Sequence, residues 1–127
     1  MCVDNRALNK ITVKESTFPR IMSDCLTSSV GGKKWFSKED FRDGFFNVRI
    51  IPQDQEKIAF RTTDGTFEYR VVPFGLCNSP ATFTRMMNRI LEDLVDRFVT
   101  VYIDDILIYS DTLEEHYQRV NEVLLRI

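Results

Sequence analysis

The chain has 127 residues, a mass of 14.9 kDa and a formal charge of −2 at pH 7, and 43% of its residues are apolar. These values fit one packed domain. No apolar run is long enough to span a bilayer, no secretory signal is visible, and three widely spaced cysteines fit neither a disulfide framework nor a zinc site. We therefore predict an intracellular protein with no membrane partner, whose bulk charge gives no argument for nucleic-acid binding.

The first half of the chain carries the weaker secondary-structure signals. Residues 1–30 show no clear periodicity, and Pro19 would interrupt any long helix. The segment GGKKWFSKED is typical of a turn that leads into a strand. On that strand Phe36, Lys38 and Asp40 would share one face, because strand side chains alternate with period two.

Two clearer elements follow. The segment IAFRTTDGTFEYRVV has Asp64-Gly65 between two alternating runs, which predicts a β-hairpin. The segment SPATFTRMMNRILEDL has Ser79 as the helix N-cap and Pro80 at the first helical position. Apolar residues recur there at helical spacing and predict an amphipathic helix: Phe83, Met86, Met87, Ile90, Leu91 and Leu94.

The stretch FVTVYIDDILIYS contains two adjacent acids inside apolar, strand-forming sequence. It divides into strands at 98–103 and 106–110, with Asp104-Asp105 as a two-residue hairpin loop. A solvated polar turn is one explanation for the acids, because aspartate tolerates turn conformations. Two adjacent carboxylates repel each other, however, so a site for a cation is the alternative.

The final segment begins with TLEE, in which Thr112 and Glu115 form a capping box for a helix. Apolar residues continue it at helical spacing: Leu113, Tyr117, Val120, Leu124 and Ile127. His116 on this helix is expected to be a solvent-exposed or packed imidazole. No Gly, Asn or Pro ends the helix, which suggests a fragment. Because helices and strands are mixed without regular alternation, the predicted fold class is α+β.

Asp40 would join the two acids if its strand and the acidic hairpin are neighbours in one sheet, since adjacent strands lie about 5 Å apart. Three carboxylates at one sheet edge suit Mg²⁺, which prefers hard oxygen ligands and binds substrate phosphates together with carboxylates. Two such ions stabilise both the attacking and the leaving oxygens of a phosphoryl displacement. The predicted reaction class is nucleotidyl transfer or phosphodiester hydrolysis.

Four segments, in the right order, resemble motifs of reverse transcriptases. VYIDDILIYS resembles their catalytic hairpin, and FSKEDFRDGFF resembles the motif with the first catalytic aspartate. VPFGLCNSPATF is similar to the segment that starts the palm helix in gypsy-type LTR retrotransposons, and CVDNRALNKITV is similar to a fingers segment. The sequence thus resembles an incomplete reverse transcriptase domain of a gypsy-type retrotransposon Pol polyprotein.

The resemblance implies the fingers and palm of a right-hand polymerase, with an antiparallel palm sheet packed on helices. Residues 1–127 would form one incomplete domain, with fingers parts at about 1–15 and 48–76 and palm parts at about 16–47 and 77–127. The implied function is RNA-directed DNA synthesis by two-metal nucleotidyl transfer from a dNTP to a primer 3′-hydroxyl.

The same resemblance implies an RNA template, a DNA template-primer and dNTP as partners, together with the thumb, RNase H and integrase of the polyprotein. The implied location is the cytoplasm or a virus-like particle, with the nucleus as an alternative. Upstream basic residues that bind the triphosphate in this family, and the later palm strands and thumb, are expected to lie outside the sequence.

Site residues also follow from the resemblance. Asp40, Asp104 and Asp105 would be catalytic and would bind two Mg²⁺ ions, with Mn²⁺ as a substitute. The implied nucleotide-binding positions are Asp43 beside the triphosphate, Phe45 as the steric gate against a ribose 2′-hydroxyl, and Phe74 and Gly75 along the incoming nucleotide. The implied template and primer positions are Asn78, Ser79, Pro80 and Tyr102.

Two positions depart from the family pattern. Asn5 stands where an aromatic residue is usual, and Glu39 replaces the usual aliphatic neighbour of the first catalytic aspartate. Strand alternation predicts that Glu39 faces the helices, where an unpaired charge is costly. A basic partner for Glu39 and decay of a retroelement copy are both open explanations. The alternative function, which the missing flanking segments favour, is a truncated or domesticated, catalytically silent relic that serves as an interaction or nucleic-acid-binding module.

Overall fold

The computed structural model describes residues 3–15 and 30–127. The predicted palm residues 16–29, with Pro19 and Cys25, lie outside the described residues, as do Met1 and Cys2. The elements follow in the order α1 (Arg6–Ile11), β1 (Trp35–Asp40), α2 (Pro52–Gln55), β2 (Phe60–Thr62), β3 (Gly65–Phe67), α3 (Ser79–Ile90), β4 (Val99–Tyr102), β5 (Asp105–Ser110) and α4 (Leu113–Leu124). Short 3-10 turns lie at Gly44–Asn47 and Glu56–Ile58. The predicted α+β class is confirmed.

The larger sheet is antiparallel and has the strand order β1-β5-β4, so that β5 lies in the middle. Its register places Asp40 opposite Asp105 and Lys38 opposite Leu107 on one side of β5, and Tyr102 opposite Asp105 on the other. Residues directly opposite each other project from the same face. Lys38, Asp40 and Asp105 therefore share one face at one end of the sheet.

The other face of the sheet is apolar where β4 and β5 pair. Val99 lies opposite Ile108, and both side chains are fully buried. Helix α3 packs against β4, and helix α4 packs against β5 and β1. The core cluster consists of Phe83, Met87, Leu91, Leu94, Phe98, Val99, Ile106, Ile108, Tyr109 and Val123. No helix among the described residues is long and apolar enough to cross a membrane.

Both hairpin loops lie one residue earlier than the sequence predicts. The loops are Thr63–Asp64 and Ile103–Asp104, because Thr62 pairs with Gly65 and Tyr102 pairs with Asp105. The predictions of Asp64-Gly65 and Asp104-Asp105 as loops were therefore wrong, and Asp105 is the first residue of β5. In the observed register two apolar pairs of β4 and β5 lie directly opposite each other, and this pairing outweighs the turn preference of aspartate.

The two long helices form where the apolar spacing predicts them, but both end early: Leu91 and Leu94 lie beyond the end of α3, and Ile127 lies beyond the end of α4. Helix α3 begins at Ser79, so Asn78, not Ser79, is the N-cap and Pro80 is the second helical residue. Asn78 makes no side-chain cap bond, because its amide bonds to another segment of the chain. In α4 the Thr112 hydroxyl accepts a hydrogen bond from the Glu115 backbone N–H at 3.3 Å, as the capping box predicts.

The orientation of α4 differs from the one its apolar spacing suggests. Tyr117 is 70% exposed, whereas Val123 is fully buried. His116 is buried as well, with Nε2 2.8 Å from the Ser37 hydroxyl and Nδ1 3.2 Å from the Ser110 hydroxyl. The helix thus faces the sheet with His116 and Val123, which are seven residues apart, and the imidazole joins α4 to β1 and β5.

Candidate functional site

Two aspartates face each other across neighbouring strands at the end of the sheet. Asp40 is the last residue of β1 and lies directly opposite Asp105, the first residue of β5. Asp104 precedes it in the hairpin loop, and the side chains of Asp40 and Asp104 are exposed. Like charges directly opposite each other destabilise an antiparallel pair. Stability alone therefore does not account for this arrangement.

A lysine ammonium lies against the acidic pair. Nζ of Lys38 is 2.8 Å from Oδ2 of Asp105. The pKa of Lys38 is raised above its ordinary value, first by the hydrogen bond to Asp105 and then by the charges of Asp105, Asp40 and Asp104. The acidic end of the sheet thus attracts the positively charged Lys38 side chain.

The three acids supply the oxygen ligands that Mg²⁺ or Mn²⁺ prefers, but their side chains do not point to a common position. Within residues 3–15 and 30–127, no three His, Cys, Asp or Glu side chains are arranged so that they could hold a metal ion together. Asp40 and Asp105 thus occupy neighbouring backbone positions, as expected. Their side chains and that of Asp104 do not form a complete set of metal ligands. Hard oxygen donors on facing positions nevertheless fit a hard divalent cation, although the Lys38 ammonium contacts one of these oxygens.

The loop Ile103–Asp104 contains an unfavourable backbone conformation beside the acids. Ile103 has a φ of 57°, whereas Asp104 is not in the positive-φ region, and this is the pattern of a type II′ turn. Glycine is usual at that position, and a β-branched residue rarely adopts a positive φ. Oγ1 of Thr84 in α3 lies 2.9 Å from the Pro80 carbonyl and 3.1 Å from the Ile103 carbonyl. Helix α3 therefore helps to hold the turn.

Phe45 and Phe74 belong to a group of aromatic rings that follows β1. The Phe45 ring packs edge-to-face on Phe74, with centroids 5.2 Å apart, and on Phe83, with centroids 5.6 Å apart. Phe83 is 1% exposed and belongs to the core, whereas Phe74 is 49% exposed. The core thus supports Phe45 from one side, and Phe74 carries the group to the surface.

The loop that contains Gly75 is held by a side chain from α1. Nδ2 of Asn9 donates to the Gly75 carbonyl at 2.7 Å, and its Oδ1 accepts from the Cys77 backbone N–H at 2.9 Å. Gly75 has a φ of 98°, a conformation that favours glycine. Because one amide supplies both a donor and an acceptor, Asn9 fixes the loop on both sides of Leu76.

Asn78, just before α3, makes a similar pair of hydrogen bonds to the segment that follows α1. Its Nδ2 donates to the Val13 carbonyl at 2.9 Å, and its Oδ1 accepts from the Glu15 backbone N–H at 3.0 Å. An ion pair between Arg85 and the Glu15 carboxylate lies beside these bonds. The segment after α1 is thus joined to the start of α3 by a second asparagine.

The remaining predicted positions differ in accessibility. Ser79 is 5% exposed, so its side chain lies within the protein, whereas Pro80 is exposed and Tyr102 is half-buried. Asp43 is exposed at a φ of 55°, immediately before the 3-10 turn. Glu39 is half-buried and lies opposite Ile106, on the helix-facing side of the sheet.

Sequence reasoning gave no site role to Lys38, Asn9 or Thr84. Strand alternation does place Lys38 on the face of Asp40, but the register that brings Asp105 to it depends on a strand distant in sequence. Asn9 and Thr84 act through partners 66 and 19 residues away. No local pattern reports contacts of this kind.

Comparison with known proteins gives a match over the whole chain. The family described as "Reverse transcriptase (RNA-dependent DNA polymerase)" matches residues 1–127. An RNA-directed DNA polymerase homolog of Oenothera berteroana is 43% identical, and the alignment covers 97% of this chain and 88% of the relative.

Two longer relatives are transposon polyproteins. The retrovirus-related Pol polyprotein from transposon 297 of Drosophila melanogaster is 37% identical over 98% of this chain and 12% of its own length. The transposon Tf2-3 polyprotein of Schizosaccharomyces pombe is 36% identical over 100% of this chain and 10% of its own length. The chain thus spans roughly a tenth of these polyproteins.

Solved structures of foamy viral protease-reverse transcriptase share the fold. The complex with an RNA/DNA hybrid superimposes with a TM-score of 0.81 at 29% identity, covering 97% of this chain and 17% of the viral one. A complex of that viral protein with double-stranded DNA gives a TM-score of 0.77 at 26% identity, with coverage of 97% and 20%.

Proposed function

This chain belongs to the reverse transcriptase family, whose activity is RNA-directed DNA polymerisation, and we propose that it is the catalytic core of such an enzyme in an LTR retrotransposon of the gypsy type. The observation that carries the proposal is the cross-strand pair Asp40–Asp105 with Asp104 in the adjoining loop. Like charges at opposed strand positions are unfavourable without a cation. The reaction we assign to them is nucleotidyl transfer from a dNTP to a primer 3′-hydroxyl.

The proposed division of the chain places fingers parts at about 1–15 and 48–76 and palm parts at about 16–47 and 77–127. The sheet β1-β5-β4 with α3 and α4 would then be the palm. The side chain of Asn78, the N-cap of palm helix α3, would join that helix to the fingers segment through its hydrogen bonds to Val13 and Glu15. Asn9 would add a hydrogen bond from the fingers segment to the Cys77 backbone N–H, just before α3. This supports a rigid connection between the two parts on the side of the Gly75 loop.

Asp40, Asp104 and Asp105 are the residues that would hold two Mg²⁺ ions, or Mn²⁺ in their place. When bound, such ions would activate the primer 3′-hydroxyl and stabilise the charge on the α-phosphate. Thr84, whose hydroxyl lies within hydrogen-bond distance of the Ile103 carbonyl, would help to position the loop that carries Asp104. The chain itself would thus contribute mainly positioning and electrostatics, as is usual in phosphoryl transfer.

The proposed nucleotide site lies between the acids and the aromatic group. Phe45 would act as the steric gate against a ribose 2′-hydroxyl, since its ring is supported by Phe83 and has little freedom to retreat. Phe74 and Gly75 would line the incoming nucleotide. Asp43 would lie beside the triphosphate, close to the backbone amides of the 3-10 turn.

Asn78, Ser79, Pro80 and Tyr102 remain the proposed template and primer positions. Pro80 and Tyr102 have accessible surface for direct contact, whereas the amide of Asn78 and the buried hydroxyl of Ser79 would act by shaping the start of α3. The proposed partners are an RNA template, a DNA template-primer, dNTP, and the thumb, RNase H and integrase of a polyprotein. The proposed location is the cytoplasm or a virus-like particle, with the nucleus as an alternative.

A matched pair of loop variants tests this function by primer extension. Asp104 and Asp64 are each the second residue of a two-residue hairpin loop, and both side chains are exposed. We expect Asp104→Asn to abolish Mg²⁺-dependent dNTP addition and Asp64→Asn to retain it. The assay uses the chain joined to the corresponding upstream and downstream segments of a homologous polyprotein, with the circular dichroism spectrum as the control for folding. Retained addition by folded Asp104→Asn would refute the assigned role.

The second candidate is a catalytically silent relic that binds nucleic acid or a protein partner. It is favoured by the open arrangement of the acids among the described residues and by a charged residue, Glu39, at a half-buried position opposite Ile106 on the helix-facing side of the sheet. Under this alternative the unmodified chain in the same assay would bind template-primer without extending it. Extension that depends on Asp104 would exclude the relic.

A further inference from the structure

Lys38 occupies a position that the proposed two-metal chemistry leaves unexplained. It lies on β1 two residues before Asp40, and it projects from the face that carries Asp40 and Asp105. Its Nζ reaches diagonally across to the neighbouring strand and contacts Oδ2 of Asp105 at 2.8 Å. The ammonium is thus placed at one of the oxygens that a divalent ion would use.

The charges around Lys38 come mainly from these acids. Asp105 has the largest influence on Lys38, and the more distant charges that act on it are those of Asp40 and Asp104. The Lys38 side chain is 61% exposed and the Asp105 side chain 30%. The ammonium can therefore leave Asp105 for solvent without disturbing the core, since its stem is not packed inside the protein.

We propose that Lys38 is an internal counter-cation of the acidic site, which neutralises Asp105 in the metal-free protein and must be displaced before a divalent ion can use this carboxylate. The inference rests on the proposed function, because it takes the aspartates as the metal ligands. Lys38 would then have a role in positioning and metal selectivity. Its ammonium would hold the Asp105 carboxylate in place, and a divalent ion would displace it more readily than a monovalent ion, because the divalent ion is attracted more strongly.

The direction of the expected effect separates this role from a structural one. Replacing Lys38 with methionine keeps the length of the side chain and removes the charge, so the competition with a divalent ion disappears. We expect Lys38→Met to bind Mn²⁺ about two- to fivefold more tightly, as for the loss of one exposed ion pair. A merely structural role would make the substitution weaken binding or leave it unchanged. The gain should shrink as salt rises, because exposed charges are screened.

Lys57 provides a matched control elsewhere in the chain. It is 62% exposed and pairs with Asp54, and the charges that act on it are those of Asp54 and Glu56, not those of the acidic site. Lys57→Met removes the same charge and an ion pair of the same kind. Lys38→Arg keeps the charge at the site itself.

The experiment is a titration of the 127-residue chain with Mn²⁺ alone, with free Mn²⁺ measured by electron paramagnetic resonance and folding checked by circular dichroism. Tighter binding by Lys38→Met, with Lys38→Arg and Lys57→Met close to the unchanged chain, is the expected result. The role of Lys38 would be overturned if Lys38→Met bound Mn²⁺ no more tightly than the unchanged chain, or if Lys38→Arg bound it as tightly as Lys38→Met. Neither result would contradict a metal site at the carboxylates. Absence of binding in every folded variant would overturn both the counter-cation and the proposed metal site.

Discussion

Asn9 offers the clearest measure of how firmly the Gly75 loop is held. Replacing it with alanine removes one donated and one accepted hydrogen bond, at 2.7 and 2.9 Å. Each such bond contributes about 0.5–1.5 kcal/mol, so their loss costs about 1–3 kcal/mol. Because Asn9 is in α1, alanine returns about 0.5 kcal/mol of helix propensity. The expected net loss in the free energy of unfolding is about 0.5–2.5 kcal/mol.

Urea unfolding followed by circular dichroism measures this loss, and hydrogen exchange localises it. The backbone N–H of Cys77 should exchange faster in Asn9→Ala, because it loses its acceptor. Asn88→Ala is the control: Asn88 is exposed on α3, so its replacement changes helix propensity without removing a contact of this kind.

Asn9→Asp refines the test, because it keeps the shape of the side chain and the acceptor for Cys77. At neutral pH its carboxylate would face the Gly75 carbonyl without a proton to donate. Because the facing carbonyl favours the protonated carboxyl in the folded protein, we expect the destabilisation to diminish as pH falls towards about 4 and to be smallest below it, where the carboxyl donates again. A free energy of unfolding for Asn9→Ala within about 0.3 kcal/mol of the unchanged chain, with unchanged exchange at Cys77, would mean that these two hydrogen bonds do not hold the loop.

Two further substitutions probe the aromatic packing behind the site, and a third probes the Lys33–Asp111 ion pair at the other end of the sheet. Phe83→Ala should lower the free energy of unfolding by about 3–5 kcal/mol in urea titrations, because the ring is fully buried; a loss below about 1 kcal/mol would mean that the packing is looser than described. Gly44→Ala should cost about 1–3 kcal/mol, since the added Cβ would lie 3.1 Å from both Phe41 and the Phe83 ring. Lys33 lowers the pKa of Asp111 from 3.8 by a hydrogen bond. The stability difference between the unchanged chain and Asp111→Asn should therefore be complete above about pH 4 and vanish as pH falls through the lowered pKa; a difference independent of pH would contradict this.

Local sequence predicted those elements that depend on neighbouring residues. The apolar spacing of α3 and the capping box at Thr112 act within one or two helical turns, so both helices form where predicted. The acids of the hairpin stood out because carboxylates are unusual inside strand-forming sequence. The resemblance of four motifs to reverse transcriptases rested on residues close together in sequence, and the family match over residues 1–127 agrees with it.

The tertiary structure alone decided the details that make the site. Ile103 adopts an unfavourable φ because pairing β4 with β5 stabilises a register that local turn preferences would not select. His116 is buried because two hydroxyls from other strands satisfy its ring. The contact between Lys38 and Asp105 exists because β1 and β5 are neighbours. Each of these features depends on free energy gained between segments far apart in sequence, whereas helix spacing and caps depend on free energy gained within a few residues.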